Sequence, residues 1–173
     1  MKSKYNPLIF SSLATGAALF AITPLHAAVF DTTGTTITLS PQNRYIGNGT
    51  LQVSGGGALW LGGSGGDAVT EFAMTGGVID IVSGTTLVNG GWQKGVWGEN
   101  KAGLQVNGTF DLRDGQWVVA DALTGSGAVT MADVDGWYTS GLILGVNNGG
   151  GTFTGTISDP NNGTDNIQLH KYG

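Results

Sequence analysis

The sequence predicts an all-β fold, a right-handed parallel β-helix (β-solenoid) of about five to seven short coils. Glycine accounts for 32 of the 173 residues, which disfavours helix interiors and suits turns between short strands. A short phrase recurs along the chain, in which a glycine is followed by alternating apolar and polar residues. After the N-terminal apolar stretch, no segment has the apolar period of a helix. A β-sandwich is the alternative, because short strands with glycine turns suit that architecture too.

The first element along the chain is a secretory signal peptide, predicted over residues 1–27. The first four residues, Met-Lys-Ser-Lys, include two lysines; an apolar stretch follows from Leu8 to Ile22, and small residues stand at Ala27 and Ala28. The apolar stretch is shorter than the roughly twenty residues that a membrane-spanning helix needs. We therefore expect cleavage after Ala27 or Ala28, export of the protein, and no membrane-spanning segment after processing.

Processing would change the charge of the chain. The full sequence holds 7 basic and 12 acidic residues; Lys2 and Lys4 leave with the signal peptide, so 5 basic residues remain against 12 acidic ones, a formal charge of −7. An acidic chain with few cations neutralises few phosphates, which disfavours nucleic acid as a partner. The sequence contains no cysteine, which excludes disulfides, thiolate metal sites and thiol nucleophiles.

Residues 28–173 are predicted to form a single β-solenoid domain that is incomplete at its C-terminus. The recurring phrases begin at Gly34, Gly49, Gly57, Gly77, Gly84, Gly108, Gly127 and Gly151. Alternate positions of each phrase hold apolar side chains, which would stack from coil to coil as the core. The predicted core residues are Leu51, Val53, Leu59, Leu61, Ile79, Ile81, Leu104, Val106, Phe110, Leu112, Leu142 and Leu144.

Asn-Gly pairs mark predicted turns between the strands. They begin at Asn48, Asn89, Asn107 and Asn162, and such pairs suit positions where the backbone needs a positive φ. Three of the pairs continue as Asn-Gly-Thr, which is formally a glycosylation sequon. We prefer the turn interpretation, because the threonine is also the first residue of the next predicted strand.

Two phrases in the second half of the chain carry a resemblance to a known family. Ala122-Leu-Thr-Gly-Ser-Gly-Ala-Val-Thr130 contains a Leu-x-Gly-x-Gly strand entry, and the segment 142–158 contains a glycine-rich turn before Thr-Phe-x-Gly-x-Ile. With them, the region from about residue 89 to 173 resembles the autotransporter-associated β-strand repeat of Gram-negative bacteria. The resemblance implies a β-helical passenger or stalk segment, secreted or held at the cell surface or outer membrane. Since the family continues beyond Leu169-His-Lys-Tyr-Gly173, we expect a fragment of a longer protein.

Residues that could carry catalysis are few. After processing, His170 is the one remaining histidine, which disfavours a transition-metal site or a Ser-His-Asp triad, and we expect no cofactor. The cluster of charged residues that best fits a pectate-lyase-like enzyme consists of Asp111, Arg113, Asp114 and Asp121. Strand alternation would place Asp111 and Arg113 on one outer face, where we interpret them as an ordinary surface ion pair.

Four aromatic residues are the candidate glycan contacts. Trp92 and Trp97 lie in one predicted loop, and Trp137 and Tyr138 in another; such rings can stack on sugars or cover the side of a coil. We therefore predict a non-catalytic exported surface protein that serves display or adhesion, with a host or environmental glycan or protein as partner. The alternatives are a carbohydrate-binding module that uses these rings and a pectate-lyase-like polysaccharide-degrading enzyme.

Overall fold

A computed structural model describes residues 8–9, 22–39, 43–61, 70–90, 95–113, 117–132, 139–159 and 166–173. These residues form a right-handed parallel β-helix of about five turns, and they contain no helix. The strands are β1 Leu8–Ile9, β2 Ile22–Asp31, β3 Thr36–Leu39, β4 Asn43–Ser54, β5 Ala58–Leu61, β6 Thr70–Met74, β7 Val78–Ile81, β8 Thr86–Val88, β9 Gly95–Val96, β10 Gly103–Val106, β11 Thr109–Asp111, β12 Trp117–Ala120, β13 Leu123–Thr124, β14 Ala128–Thr130, β15 Thr139–Leu144, β16 Thr156–Ser158 and β17 Asn166–Lys171. The predicted solenoid is confirmed over the sandwich.

Three parallel sheets build the solenoid. The first has the order β1-β2-β4-β7-β10-β13, with β6 paired to the early part of β4 and β9 paired to β6. The second has the order β3-β5-β8-β11-β14-β16, and the third the order β12-β15-β17. Each strand pairs with the strand that occupies the same place one coil later, so that each coil covers the apolar edge of its neighbour.

The core consists of inward-facing side chains in register. In the second sheet, Leu59, Leu87 and Phe110 are consecutive rungs of one ladder, and all three are buried. All of the predicted core residues are buried except Leu144, which is partly buried. Period-two alternation was sufficient to find these positions because the inward and outward faces of a strand differ sharply in solvent contact.

Aromatic rings form a continuous column inside the solenoid. Phe30 meets Tyr45 edge to face, Tyr45 stacks on Phe72, and Phe72 stacks on Trp97 with ring centroids 4.2 Å apart. Trp97 also contacts Phe110 across the interior, with centroids 5.8 Å apart. Burial raises the pKa of the Tyr45 hydroxyl above its ordinary value.

Glycine serves this fold by letting backbones approach each other as well as by turning the chain. A Cβ atom on Gly127 would lie 2.0 Å from the carbonyl oxygen of Gly108, and one on Gly108 would lie 2.2 Å from that of Thr85. The expected positive φ at the Asn-Gly pairs is found at Gly90 but not at Gly49 or Gly108, where the prediction is wrong. At Gly108 the reason is the crowded corner, which excludes a side chain whatever the value of φ. The pair at Asn162 lies outside the described residues.

Strand β2 runs across the predicted cleavage point. It pairs with β4 along its length, and the register shifts between Leu25 and Ala27. The segment after this irregularity contains Ala28 and Phe30, both of which are buried. Nowhere in the part of the chain that the structure describes is there a helix long and apolar enough to cross a membrane.

The last described coil leaves inward-facing side chains exposed. Ile157 continues the ladder position of buried Val129, and Leu169 that of buried Leu142. Ile157 is nevertheless 39% exposed and Leu169 57% exposed. Both belong to strands at the edge of their sheets, where no further described strand covers them.

Candidate functional site

A tryptophan stands on the outer face of the third sheet. In β12, Val118 and Ala120 point into the core and are fully buried, so strand alternation directs Trp117 outward. Its side chain is 41% exposed. A single exposed apolar ring is common on protein surfaces, so what distinguishes Trp117 is the set of residues around it.

The strand beneath the indole is shaped to receive it. Gly141 of β15 is in register with Trp117, and a Cβ atom there would lie 2.5 Å from Cζ3 and 2.6 Å from Cε3 of the indole. Gly141 has no positive φ, so the requirement for glycine is one of space. The neighbouring residue Ser140 is buried and donates a hydrogen bond of 2.6 Å to the carbonyl oxygen of Arg113, which anchors this part of β15.

Polar side chains of β17 border the ring. The imidazole of His170 lies edge to face with Trp117, with ring centroids 5.2 Å apart and an angle of 78°. Nε2 of His170 lies 3.3 Å from Oε1 of Gln168, the residue in register with Gly141. Both polar side chains are exposed. We call Trp117, Gly141, Gln168 and His170 the Trp117 platform; it offers an aromatic surface with an amide and an imidazole at its border.

The predicted glycan contact Trp97 is wrong, because its ring is part of the core. It is 1% exposed, stacks on Phe72, and its Nε1 donates a hydrogen bond of 2.8 Å to Oδ1 of the buried Asn89. Neither a ring face nor the indole N–H is left for a ligand. The other three predicted contacts, Trp92, Trp137 and Tyr138, lie outside the described residues.

The expected ion pair between Asp111 and Arg113 is also wrong. Oδ1 of Asp111 accepts hydrogen bonds from the backbone N–H groups of Arg113 and Ala132, at 3.0 and 2.9 Å. The guanidinium of Arg113 lies 4.6 Å from the ring centroid of Trp60 instead. Arg113 has a φ of 52°, so the extended alternation that would put it on the same face as Asp111 ends before it.

The carboxylates of the predicted catalytic cluster serve separate turns. Oδ1 of Asp121 accepts hydrogen bonds from the backbone N–H groups of Asn147 and Gly149, one coil further along. Asp111 closes a different turn, and Asp114 lies outside the described residues. Within the described ranges, no group of three or more histidine or acidic side chains is placed to hold a metal ion.

Sequence reasoning missed the Trp117 platform, although one signal was present. That signal is the glycine within Ser140-Gly-Leu-Ile-Leu144, which interrupts a strand that is otherwise easy to recognise; Trp117-Val-Val-Ala120 is apolar throughout and does not show which face the tryptophan takes. A glycine inside a strand is a sign of close approach by another group. Only the register between β12 and β15 shows that the two features meet.

Fold and platform together define a parallel β-solenoid that carries a supported aromatic surface on one face. Comparisons with protein-family models, with curated proteins and with solved structures found no match to this chain. The similarity to the autotransporter-associated repeat therefore stays a prediction from the phrases in the second half of the sequence.

Proposed function

We propose that this protein is a non-catalytic exported surface protein, a β-helical passenger or stalk segment that serves display or adhesion. The observation that carries the proposal is the uninterrupted ladder of the second sheet, in which six strands from β3 to β16 pair in register through successive coils. Such stacking makes a body in which every coil is held by its neighbours. A stack of coils of this kind suits a structural segment that carries a binding surface.

Side chains on the outside reinforce the same stacking. Asp80 accepts a hydrogen bond from Nε2 of Gln52 at 2.8 Å through Oδ2, and one from Nε2 of Gln105 at 3.3 Å through Oδ1. The three residues occupy the same position in successive coils. A rung of this kind ties three coils together, which supports a structural role.

The proposed location rests on the sequence. The basic start, apolar stretch and small residues of the predicted signal peptide support export, and the phrases shared with the autotransporter-associated repeat support a Gram-negative cell surface. The acidic composition after processing supports a partner other than nucleic acid. Display or adhesion is the role that joins this location to a stacked β-helical fold.

Expression of the full chain in a Gram-negative host tests the proposal. We expect mass spectrometry to find a mature N-terminus at Ala28 or Val29, antibodies to reach the protein on intact cells, and expressing cells to adhere better to a glycan-coated surface. A matched control is Leu19→Arg, which interrupts the apolar stretch and should abolish processing and surface exposure together. An unprocessed wild-type chain that stays in the cytoplasm would contradict the proposal.

Carbohydrate binding is the second candidate function, and the Trp117 platform is the observation that favours it. This candidate is compatible with the first, because an adhesive surface protein needs a contact surface.

A further inference from the structure

We propose that the Trp117 platform binds a pyranose unit of a polysaccharide whose ring hydroxyls are mainly equatorial, such as a β-linked glucose chain. The inference deepens the proposed function by naming the class of partner, and it rests on that function only for its biological setting. The site is distinct from the aromatic residues that the sequence analysis selected.

Trp117 is exposed for a different reason from Ile157 and Leu169. Ile157 and Leu169 are exposed because they occupy inward positions of the last described coil. Trp117 belongs to an earlier coil, on the outward side of a strand whose inward residues are fully buried. β12 is also an edge strand of its sheet, but Trp117 lies on the outer face and does not occupy an uncovered core position, so a ligand that covers its ring would remove apolar surface from water.

The ring is also held in place before any ligand arrives. Gly141 leaves room for the indole against the backbone of β15, and the imidazole of His170 contacts it from β17. A side chain that is already ordered loses little conformational entropy when a ligand binds. Aromatic side chains also have few rotatable bonds, so they supply a large contact area at a low cost in conformational entropy.

The border of the ring favours a polyol over a purely apolar ligand. The amide of Gln168 offers donors and an acceptor, and the imidazole of His170 offers one of each when neutral. A pyranose with equatorial hydroxyls presents axial C–H groups to an aromatic ring and directs its hydroxyls outward, toward such a border. An apolar peptide would displace water from the remaining donors and acceptors of these two side chains without replacing its hydrogen bonds, at a cost in affinity.

Calorimetric titration of protein purified from cells that express the full chain tests the inference. The probes are cellohexaose and, as a polyol without a ring, sorbitol. We expect saturable binding of cellohexaose, none of sorbitol, and an affinity for cellohexaose that falls about tenfold or more in Trp117→Ala. Trp60→Phe is the matched control: Trp60 is a half-buried tryptophan of the second sheet, and its replacement should leave the affinity unchanged.

Gly141→Ala keeps Trp117, but the new methyl group would occupy the space in which the indole packs against β15. We expect the variant to bind cellohexaose more weakly while its circular dichroism spectrum stays that of the wild type. If Gly141→Ala unfolds the chain, Gln168→Ala takes its place, since this exposed residue borders the ring without supporting it, and a weaker affinity is again expected. Wild-type affinity in the folded Gly141→Ala variant, or in the Gln168→Ala variant that replaces it, would overturn the role given to the Trp117 platform in binding.

Two further results would overturn the inference: no binding of cellohexaose by the folded wild type, or equal binding by Trp117→Ala. Either result would leave the proposed surface role standing if the chain is processed and reaches the cell surface. Conversely, retention of the chain in the cytoplasm would contradict the surface role. It would not affect the binding inference if the purified protein still bound cellohexaose in a way that depends on Trp117. The two proposals therefore fail separately.

Discussion

The indole Nε1 of Trp97 donates a hydrogen bond of 2.8 Å to Oδ1 of Asn89, and both side chains are buried. The backbone N–H of Asn89 in turn donates to the carbonyl oxygen of Asp111 in the next coil. The pair thus joins the aromatic column to the second sheet, and it explains how a tryptophan with a polar N–H is accommodated in the core.

Replacing Asn89 with alanine removes the acceptor of this bond and leaves the Trp97 N–H buried without a partner. We expect the free energy of unfolding to fall by about 1–3 kcal/mol. Urea denaturation followed by circular dichroism measures the change. In the Trp97→Phe background the same substitution should cost less, because no N–H is left unsatisfied; an equal cost in both backgrounds would contradict the role given to the bond.

Gly127→Ala tests the crowded corner of the solenoid. The new Cβ would lie 2.0 Å from the carbonyl oxygen of Gly108, so the two coils must move apart, and we expect a loss of about 1–3 kcal/mol. Gly150→Ala is the matched control, because a Cβ there meets nothing within 4 Å and the residue has no positive φ. Similar thermal midpoints for the two variants would show that the corner tolerates a side chain.

Stability should decrease at alkaline pH through Tyr45. Burial raises the pKa of this hydroxyl above its ordinary value of 10.0, so the folded chain keeps a proton that the unfolded chain releases. The contribution is fully present below the unfolded pKa and is lost as pH rises toward the folded one. We expect a loss of about 1.4 kcal/mol per pH unit above the unfolded pKa. Urea midpoints across this range measure it, and Tyr45→Phe should show a shallower decline; identical slopes would count against this assignment.

The side chain of Asn100 links two coils at a place where no hydrogen bonds between strands connect them. Its Nδ2 donates to the carbonyl oxygen of Val119 at 2.8 Å, and the side chain is 1% exposed. β9 ends at Val96, and neither it nor the following turn pairs with β12 in the described sheets. Asn100→Ala should therefore cost about 1–3 kcal/mol.

Hydrogen exchange offers a local measurement of the same contact. The amides of β12 should exchange faster in Asn100→Ala, while those of β7, which lie in another sheet, should be unaffected. Equal exchange rates of the β12 amides in the variant and the wild type would show that the Asn100 side chain does not hold these coils together.

Local patterns were sufficient to predict the fold and most of the core. Short strands entered from glycine, with alternating apolar residues, led to a parallel β-helix and to inward positions such as Leu59 and Ile79, because alternation is a property of each strand by itself. The same reasoning did not work for Trp97. Trp97 lies directly after β9, a strand of only two residues, which is too short to display a pattern that separates inside from outside.

The sequence by itself determined that this chain would stack short parallel strands around an apolar interior, since glycine turns and alternation act within a few residues. Tertiary structure alone decided that Trp117 faces solvent while Trp97 is buried, that Gly141 lies under Trp117, and that the guanidinium of Arg113 lies over Trp60. The physical reason is register. Contacts between coils join residues far apart in sequence, and the irregular turns between strands set which of them meet.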